Sequence, residues 1–191
     1  MKTEQMLWSQ KEDWSGDINS GALKDAQLVL LFGPPSNLKN ETLFKKIRQA
    51  YPHAYILSGS TAGEILKTHV YDNSLVATAI QFENTVVKSA HLEIKNRKDS
   101  LSIGEKLVRA LDQEGLCHIF VLADGLNVNG SELVKGMMNH LPEQIGRTGG
   151  LAGDGGEFKE TLVGANQIPE NNNVVALGFY GTRLKIHYGS I

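Results

Sequence analysis

The sequence contains one thiol, little excess charge and no long apolar runs, and each of these features excludes certain classes of site or partner. Its only cysteine, Cys117, excludes an intrachain disulfide and a cysteine-cluster metal site. The 19 basic and 21 acidic side chains leave a net charge of −2 without a basic block, which argues against nucleic acid or an anionic membrane as a partner. No stretch approaches the roughly 20 apolar residues of a membrane span, and the N-terminus lacks the apolar segment of a signal peptide. We therefore expect a soluble, cytoplasmic protein.

The composition that remains is typical of a globular domain. The chain has 191 residues, of which 41% are hydrophobic and 21% charged, which suits one domain with a substantial core. Residues 1–24 are polar and weakly patterned, and we interpret them as a surface arm or short helix. The domain itself is predicted over residues 25–191.

Apolar periodicity predicts a mixed α/β fold. Residues 28–32 form a continuous apolar run ended by Gly-Pro-Pro, which is typical of a strand buried on both faces. A helical stripe over residues 43–51 and a second strand at 54–57 complete a β-α-β unit, whose two strands should be parallel. Strands at 75–82 and 85–94 are separated by Glu-Asn, which predicts a hairpin. Residues 99–114 have helical spacing.

The second half of the sequence repeats the first. An offset of 90 aligns residues 29–64 with 119–154 without a gap, and an offset of 99 then aligns residues 73–77 with 172–176. Identical pairs include Asn37/Asn127, Leu43/Leu133, Pro52/Pro142, Gly59/Gly149, Ala62/Ala152 and Gly63/Gly153. We predict two pseudo-repeats, about 27–94 and 117–188, each a β-α-β unit followed by antiparallel strands. The sheets should be mixed, with flanking helices, and a pseudo-two-fold axis should relate the halves.

Two equivalent glycine-rich loops, at residues 59–64 and 149–154, are the strongest local signal. Each follows a predicted parallel strand, where α/β sheets tend to bind ligands. A third polar segment, 124–132, follows another strand and leads into a helix. The candidate ligand-binding residues from these segments are Ser60, Thr61, Glu64, Asp124, Asn127, Gly149, Gly150 and Asp154. The alternative is structural: tight turns in which the carboxylates and asparagines accept turn and helix-cap hydrogen bonds.

Recognised catalytic signatures are mostly absent. The glycine loops match neither a P-loop nor a dinucleotide-binding fingerprint, and no H-E-x-x-H motif occurs. We predict no catalytic residue, and a metal site stays unassigned. An acid–base enzyme using Asp124 with Glu64 or Asp154 is one alternative, although it lacks an evident nucleophile. The histidines, at positions 53, 69, 91, 118, 140 and 187, also leave open an axial haem ligand.

Three segments together resemble the FIST sensory domain. Residues 58–65, Ser-Gly-Ser-Thr-Ala-Gly-Glu-Ile, are similar to its "GCSTAGEI"-like box. Residues 124–133 and 149–154 are similar to its second and third boxes, and the similarity covers most of residues 27–190 in the right order. Ser58 and Gly59 stand where the family usually has Gly-Cys, so any role of that thiol is lost here.

The resemblance implies a non-enzymatic, intracellular input domain of bacterial signal transduction that senses a small, amino-acid-like molecule. It also implies a signalling partner such as a histidine kinase or a cyclic-dinucleotide enzyme. One branch of the family is regarded as a haem-based nitric oxide sensor, which is the alternative function. Family members generally continue into a C-terminal FIST domain, and we expect that domain to be missing from this chain. We therefore expect an N-terminal half or a shortened protein, whose ligand pocket is incomplete if it needs both domains.

Overall fold

Twelve strands and four α-helices build the fold, in a computed structural model that describes residues 1–15, 18 and 23–187. The strands are β1 (Lys2–Ser9), β2 (Asp13–Trp14), β3 (Leu28–Gly33), β4 (Tyr55–Ser60), β5 (Glu64–Leu66), β6 (His69–Tyr71), β7 (Leu75–Gln81), β8 (Val86–Glu93), β9 (Leu116–Ala123), β10 (Gly146–Leu151), β11 (Val163–Ala165) and β12 (Asn173–Tyr180). The helices are α1 (Pro35–Leu38), α2 (Glu41–Ala50), α3 (Ser100–Arg109) and α4 (Gly130–Met138), and a 3₁₀ turn, Arg97–Asp99, precedes α3.

The strands form two main sheets of mixed direction, as the sequence predicts. Sheet 1 has the order β11-β4-β3-β7-β1-β2, sheet 2 has the order β10-β9-β12-β8, and β5 and β6 form a separate pair. The parallel pairs β3–β4 and β9–β10 are joined through α2 and α4, which gives the two expected β-α-β units. The predicted class, α/β with two pseudo-repeats, mixed sheets and flanking helices, is confirmed.

The register of the strands agrees with the two offsets of the repeat. Leu31 pairs with Ala77 in sheet 1, and Val121 pairs with Ala176 in sheet 2, so offsets of 90 and 99 hold on adjacent strands. The register of the two parallel strand pairs differs by one residue, however. Gly59 lies opposite Phe32, whereas Gly150 rather than Gly149 lies opposite Leu122.

The predicted hairpin between residues 75–82 and 85–94 is wrong. Strand β7 lies in sheet 1 between β3 and β1, so both of its edges are already paired. Strand β8 crosses to sheet 2 and pairs with β12 along its whole length. Each sheet consequently contains the same run of four strands, β4-β3-β7-β1 and β10-β9-β12-β8. The second repeat therefore begins at β8, and residues 85–94 do not belong to the first repeat. The predicted end of the second repeat, at residue 188, lies outside the described residues.

The expectation of a surface arm or short helix is also wrong for the first residues. Lys2–Ser9 forms β1, which pairs antiparallel with β7. The burial of alternate positions explains this strand: Met6 and Trp8 pack against the core of sheet 1, while Thr3 and Gln5 on the other face are exposed. Residues 16, 17 and 19–22 of the predicted arm lie outside the described residues.

The two sheets pack face to face, with helices on both outer faces. In β3, Leu28 and Leu30 point between the sheets, while Val29 and Leu31 point toward α1 and α2. The same alternation in β9 directs Ile119 and Val121 toward the core under α3 and α4. The result is a four-layer α-β-β-α arrangement. None of the helices in the described part of the chain has the length and apolar character needed to cross a membrane.

Candidate functional site

The predicted glycine loops begin inside strands. Strand β4 extends through Gly59 to Ser60, and strand β10 extends through Gly149 and Gly150 to Leu151. Glu64 begins β5, so four of the eight candidate positions, Ser60, Glu64, Gly149 and Gly150, are strand residues rather than the loop residues expected from the sequence. The glycine-rich composition hid these strands because Gly is depleted in strands generally.

The segments that follow β4 and β10 meet at one junction. The N–H of Gly153 donates to the carbonyl of Ser60 (2.8 Å), and the hydroxyl of Ser60 accepts from the N–H of Leu162 (2.8 Å). A Cβ added at Gly125 would lie 2.0 Å from the carbonyl oxygen of Ala152, so backbone approaches backbone there. The two boxes are thus packed against each other, as the pseudo-symmetry predicts.

Asp124 is fully buried, and its carboxylate is surrounded by donors from the protein itself. Oδ1 accepts from the N–H groups of Leu126 (2.8 Å) and Asn127 (3.0 Å) and from the hydroxyl of Thr161 (2.6 Å). Oδ2 accepts from the side chain of Asn127 (3.0 Å) and the N–H of Asn172 (2.6 Å). Burial raises the pKa of Asp124, but these hydrogen bonds outweigh it and hold the pKa below its ordinary value. Five donors leave no free acceptor site, so the geometry favours a structural role.

Asp154 and Asn127 also use their polar atoms within the chain. The carboxylate of Asp154 accepts from the N–H groups of Phe158 (3.1 Å), Lys159 (2.7 Å) and Glu160 (2.9 Å), and these hydrogen bonds lower its pKa. Asn127 is exposed and donates its amide to Asp124. Both residues hold turns, which is the structural alternative that the sequence left open. Their role in ligand binding stays a prediction.

Thr61 and Glu64 line an open cleft. Glu64 is only 2% exposed, and its carboxylate accepts from the hydroxyl of Thr61 (2.9 Å) and from the N–H (3.2 Å) and hydroxyl (2.8 Å) of Ser74. The cleft has a volume of about 330 Å³ and lies at the carboxyl ends of β3 and β4. We call it the Glu64 cleft; its lining residues are Gln5, Phe32, Thr61, Gly63, Glu64, Ile65, Val76 and Thr78.

Two lining residues were missed by sequence reasoning. Gln5 of β1 donates to the hydroxyl of Thr78 of β7 (3.1 Å), and the pair forms a polar wall of the Glu64 cleft. Gln5 and Thr78 lie side by side because β1 pairs with β7. This pairing was missed because the first residues were expected to form an arm and β7 was expected to pair with β8. The signal for this strand in the sequence is weak: Met6 and Trp8, two positions apart, place two apolar side chains on one face.

Gly149 and Gly150 line a different cleft, of about 440 Å³, between β10 and α4. Its other lining residues are Val121, Gly130, Leu133, Val134, Met137, Arg147, Thr148 and Leu151. We call it the α4 cleft. The structure therefore divides the candidate residues between two clefts and one internal hydrogen-bonded junction.

Comparison with known families identifies the chain. The model of the FIST N domain family matches residues 27–191. The chain belongs to the FIST N domain family. This family consists of sensory domains of signal transduction. No curated protein matches the chain.

A third cavity of this FIST domain lies between the two sheets and contains a buried histidine. His118 is 6% exposed, and its Nε2 shares a hydrogen bond with the hydroxyl of Thr148 (2.9 Å). Burial lowers the pKa of His118, which favours the neutral imidazole. The cavity measures about 330 Å³ and is lined mainly by apolar side chains, among them Leu28, Phe120 and Phe179. Within residues 1–15, 18 and 23–187, no group of three or more potential metal-ligating side chains occurs.

Proposed function

We propose that this FIST domain binds a small, amino-acid-like molecule in the Glu64 cleft and acts as an input module of bacterial signalling. One observation carries the proposal: a buried carboxylate lines a cleft at the carboxyl ends of two parallel strands. Ligands of open α/β sheets bind in this position because the connecting loops diverge there. The cleft has about ten times the roughly 30 Å³ that a water molecule occupies in the liquid, so it has room for an amino acid.

The chemistry of the lining indicates which end of the ligand is recognised. Glu64 is positioned to attract an ammonium group, because its carboxylate has only three protein donors around two oxygens. Phe32 and Val76 provide an apolar wall for a side chain. None of the eight described lining residues is a lysine or arginine. We therefore expect the amino group and an apolar body to determine affinity, with a ligand carboxylate facing solvent.

Signalling requires that the ligand bind one conformation better than another. Thr61 and Glu64 are joined by a hydrogen bond and flank the turn that leads from β4 into the β5–β6 pair. Ligand contact with this pair would bias the position of that two-stranded element. The partner that reads the change would be a cytoplasmic signalling enzyme of the kind that the family resemblance implies, such as a histidine kinase or a cyclic-dinucleotide enzyme.

Titration calorimetry with a panel of amino acids and simple amines tests the site. Thr78 lies in the cleft wall, so Thr78→Phe should fill the cleft and weaken binding of any ligand found by about tenfold or more, roughly 1.4 kcal/mol per tenfold. Thr78→Val is the matched control, since a methyl group of similar size replaces the hydroxyl and the exposed amide of Gln5 can donate to water instead. It should bind the same ligand within about threefold of the unmodified chain. Failure of every panel member to bind, or equal binding by Thr78→Phe, would contradict the proposal.

Haem-based sensing is a second candidate, favoured by the cavity at His118. The residues fit a haem in kind: one buried imidazole, apolar walls, and Lys185 in the lining as a cation for a propionate. His118 would give up its hydrogen bond to Thr148 to serve as axial ligand. Haem, when bound, would supply the iron that takes up nitric oxide.

An absorption titration with haemin tests this candidate. A sharp Soret band that saturates at one haem per chain is expected for the unmodified protein, with loss of the band in His118→Ala. His140→Ala is the control, because that imidazole contacts Arg109 at the end of α4, outside the cavity. Only the broad absorbance of free haemin in the unmodified protein would remove haem from consideration.

A further inference from the structure

The two sheets differ at their edges: β11 and β2 flank the four shared strands of sheet 1, and neither has a counterpart among the described residues of sheet 2. In sheet 1, β11 pairs antiparallel with β4 and covers its outer edge. Strand β10 is the counterpart of β4 in sheet 2, yet no strand of the described residues pairs with its outer edge. Because an uncovered strand edge presents a row of free N–H and C=O groups, it is a template for another strand.

The outward-facing groups of β10 follow from its pairing with β9. The N–H of Ala152 donates inward to the carbonyl of Ala123, and successive residues of a strand face opposite sides. The backbone groups of Arg147, Gly149 and Leu151 therefore face outward. These three positions also share the face toward α4, where the side chain of Leu151 reaches the position of Gly130.

An apolar surface accompanies this edge. Leu151 is 50% exposed, and Val134 and Met138, one helical turn apart on α4, are 40% and 51% exposed. Helix α3 packs on the opposite flank of α4, since a Cβ added at Gly136 would lie 2.0 Å from the carbonyl of Leu101. The exposed flank of α4 thus faces the open edge, with the α4 cleft between them.

We infer that a second copy of this chain docks here, β10 against β10, and extends sheet 2 into an eight-stranded sheet. A two-fold axis perpendicular to the sheet at Gly149 pairs Gly149 with its own copy and Arg147 with Leu151. In this register all three outward-facing residues form hydrogen-bonded pairs. No like charges face each other, and the central residues carry no side chain to obstruct the approach.

The helices also fit this arrangement. Helix α4 lies over β9 and β10, because Val121 shares a buried cluster with Leu133 and Met137, and the side chain of Leu151 reaches the position of Gly130. With strands about 4.8 Å apart, a helix centred between β9 and β10 lies about 5 Å from the axis, so its copy lies about 10 Å away. Packed helices are separated by about 8–10 Å. Val134 and Met138 would therefore meet their copies above the new strand pair, and exposed apolar surface would be buried on both sides.

A foreign strand could satisfy the same hydrogen bonds, but the register and the helix spacing favour a second copy. The inference is independent of the proposed ligand site, because the Glu64 cleft and the α4 cleft share no lining residue. Loss of either would leave the other intact.

Sedimentation equilibrium on a matched pair of variants tests the interface. Both Leu151→Lys and Leu151→Glu remove the same apolar contact, but they place opposite charges against Arg147 of the other copy. We expect the unmodified chain to dimerise, Leu151→Lys to dissociate at least about tenfold more readily than Leu151→Glu, and added salt to reduce the difference. Arg147→Glu combined with Leu151→Lys should restore the dimer. A chain that stays monomeric at every concentration, or a pair of variants that behave alike, would overturn the inference.

Hydrogen exchange adds a readout specific to the strand. The outward N–H groups of Arg147, Gly149 and Leu151 should exchange slowly only at concentrations where the dimer forms. Gly156→Ala serves as the control, because a Cβ there meets nothing within 4 Å and the residue lies outside β10 and the α4 cleft, so it should keep both dimer and protection. Dimerisation without protection of these three amides would place the interface elsewhere and contradict the proposal.

Discussion

Asp124 shows how a single buried carboxylate can organise several segments. Its two oxygens join the turn after β9 to Thr161 and to Asn172, which lie in separate parts of the chain. A buried charge is tolerated only when donors replace its lost hydration, and here five do so. The residue therefore connects the second box of the family pattern to the segments that precede β11 and β12.

We predict that Asp124→Asn destabilises the fold by about 3 kcal/mol, because the amide group would turn a donor toward donors such as the N–H of Asn172. Denaturant unfolding at neutral pH measures the loss. The folded pKa is lowered, so the contribution is present above the ordinary Asp pKa of about 3.9 and disappears as pH falls through the folded value. The difference between variant and unmodified protein should therefore shrink in acid.

Asp154→Asn is the matched control for this substitution. Asp154 also accepts from three backbone N–H groups, but it is only partly buried, so water can replace a lost hydrogen bond. Its loss of stability should be smaller than that of Asp124→Asn. Equal losses in the two variants, or none in Asp124→Asn, would refute the structural role. Binding lost without any change in stability would instead support the ligand role that the sequence suggested.

The candidate residues could be found from sequence, but their roles could not. An acidic residue at the end of a strand shows the same sequence pattern whether its carboxylate accepts hydrogen bonds from a ligand or from its own loop. Asp124 has donors from Thr161 and Asn172, which are 37 and 48 positions away, and no local rule indicates such contacts. Glu64, by contrast, lines a cleft and accepts only three hydrogen bonds from the protein, all from Thr61 and Ser74.

At the scale of elements, periodicity predicted the central strands and the main helices, but it missed β1 and did not predict which strands pair. Alternation determines the faces of a strand, and it says little about its neighbours in the sheet. Strands β7 and β8 therefore looked like a hairpin, although β7 is already paired on both edges. The β-α-β units were predictable because a short crossover through one helix permits essentially one arrangement.

Helices α3 and α4 owe their close packing to two glycines. A Cβ added at Gly104 would lie 2.1 Å from the carbonyl oxygen of Leu133, and one at Gly136 would lie 2.0 Å from that of Leu101. The two backbones are therefore in direct contact on the outer face of sheet 2. Neither position can accept a side chain without separating the helices, although alanine favours a helix by about 1 kcal/mol over glycine.

At the scale of the whole molecule, the two repeats are interlocked rather than merely adjacent. Strand β11 belongs to the second repeat in sequence but completes sheet 1, where Val163 pairs with Gly59. A third core, which includes Leu57, Leu122 and Leu177, fills the space between the sheets and draws on both. Unfolding one sheet would therefore remove an edge strand and a packing face from the other.

We therefore predict that both halves unfold in a single transition. Trp8 and Trp14 both lie in the core of sheet 1, so tryptophan fluorescence reports that half, while far-ultraviolet circular dichroism reports the whole chain. Gly136→Ala should weaken the α3–α4 packing on sheet 2 by about 1–3 kcal/mol and should shift both denaturant midpoints equally. Gly150→Ala, which has open space, should shift neither. If Gly136→Ala moved the dichroism midpoint but left the fluorescence midpoint in place, the two sheets would be separate cooperative units. The reason is that only a shared core can transmit a loss of stability at α4 to the tryptophans of sheet 1.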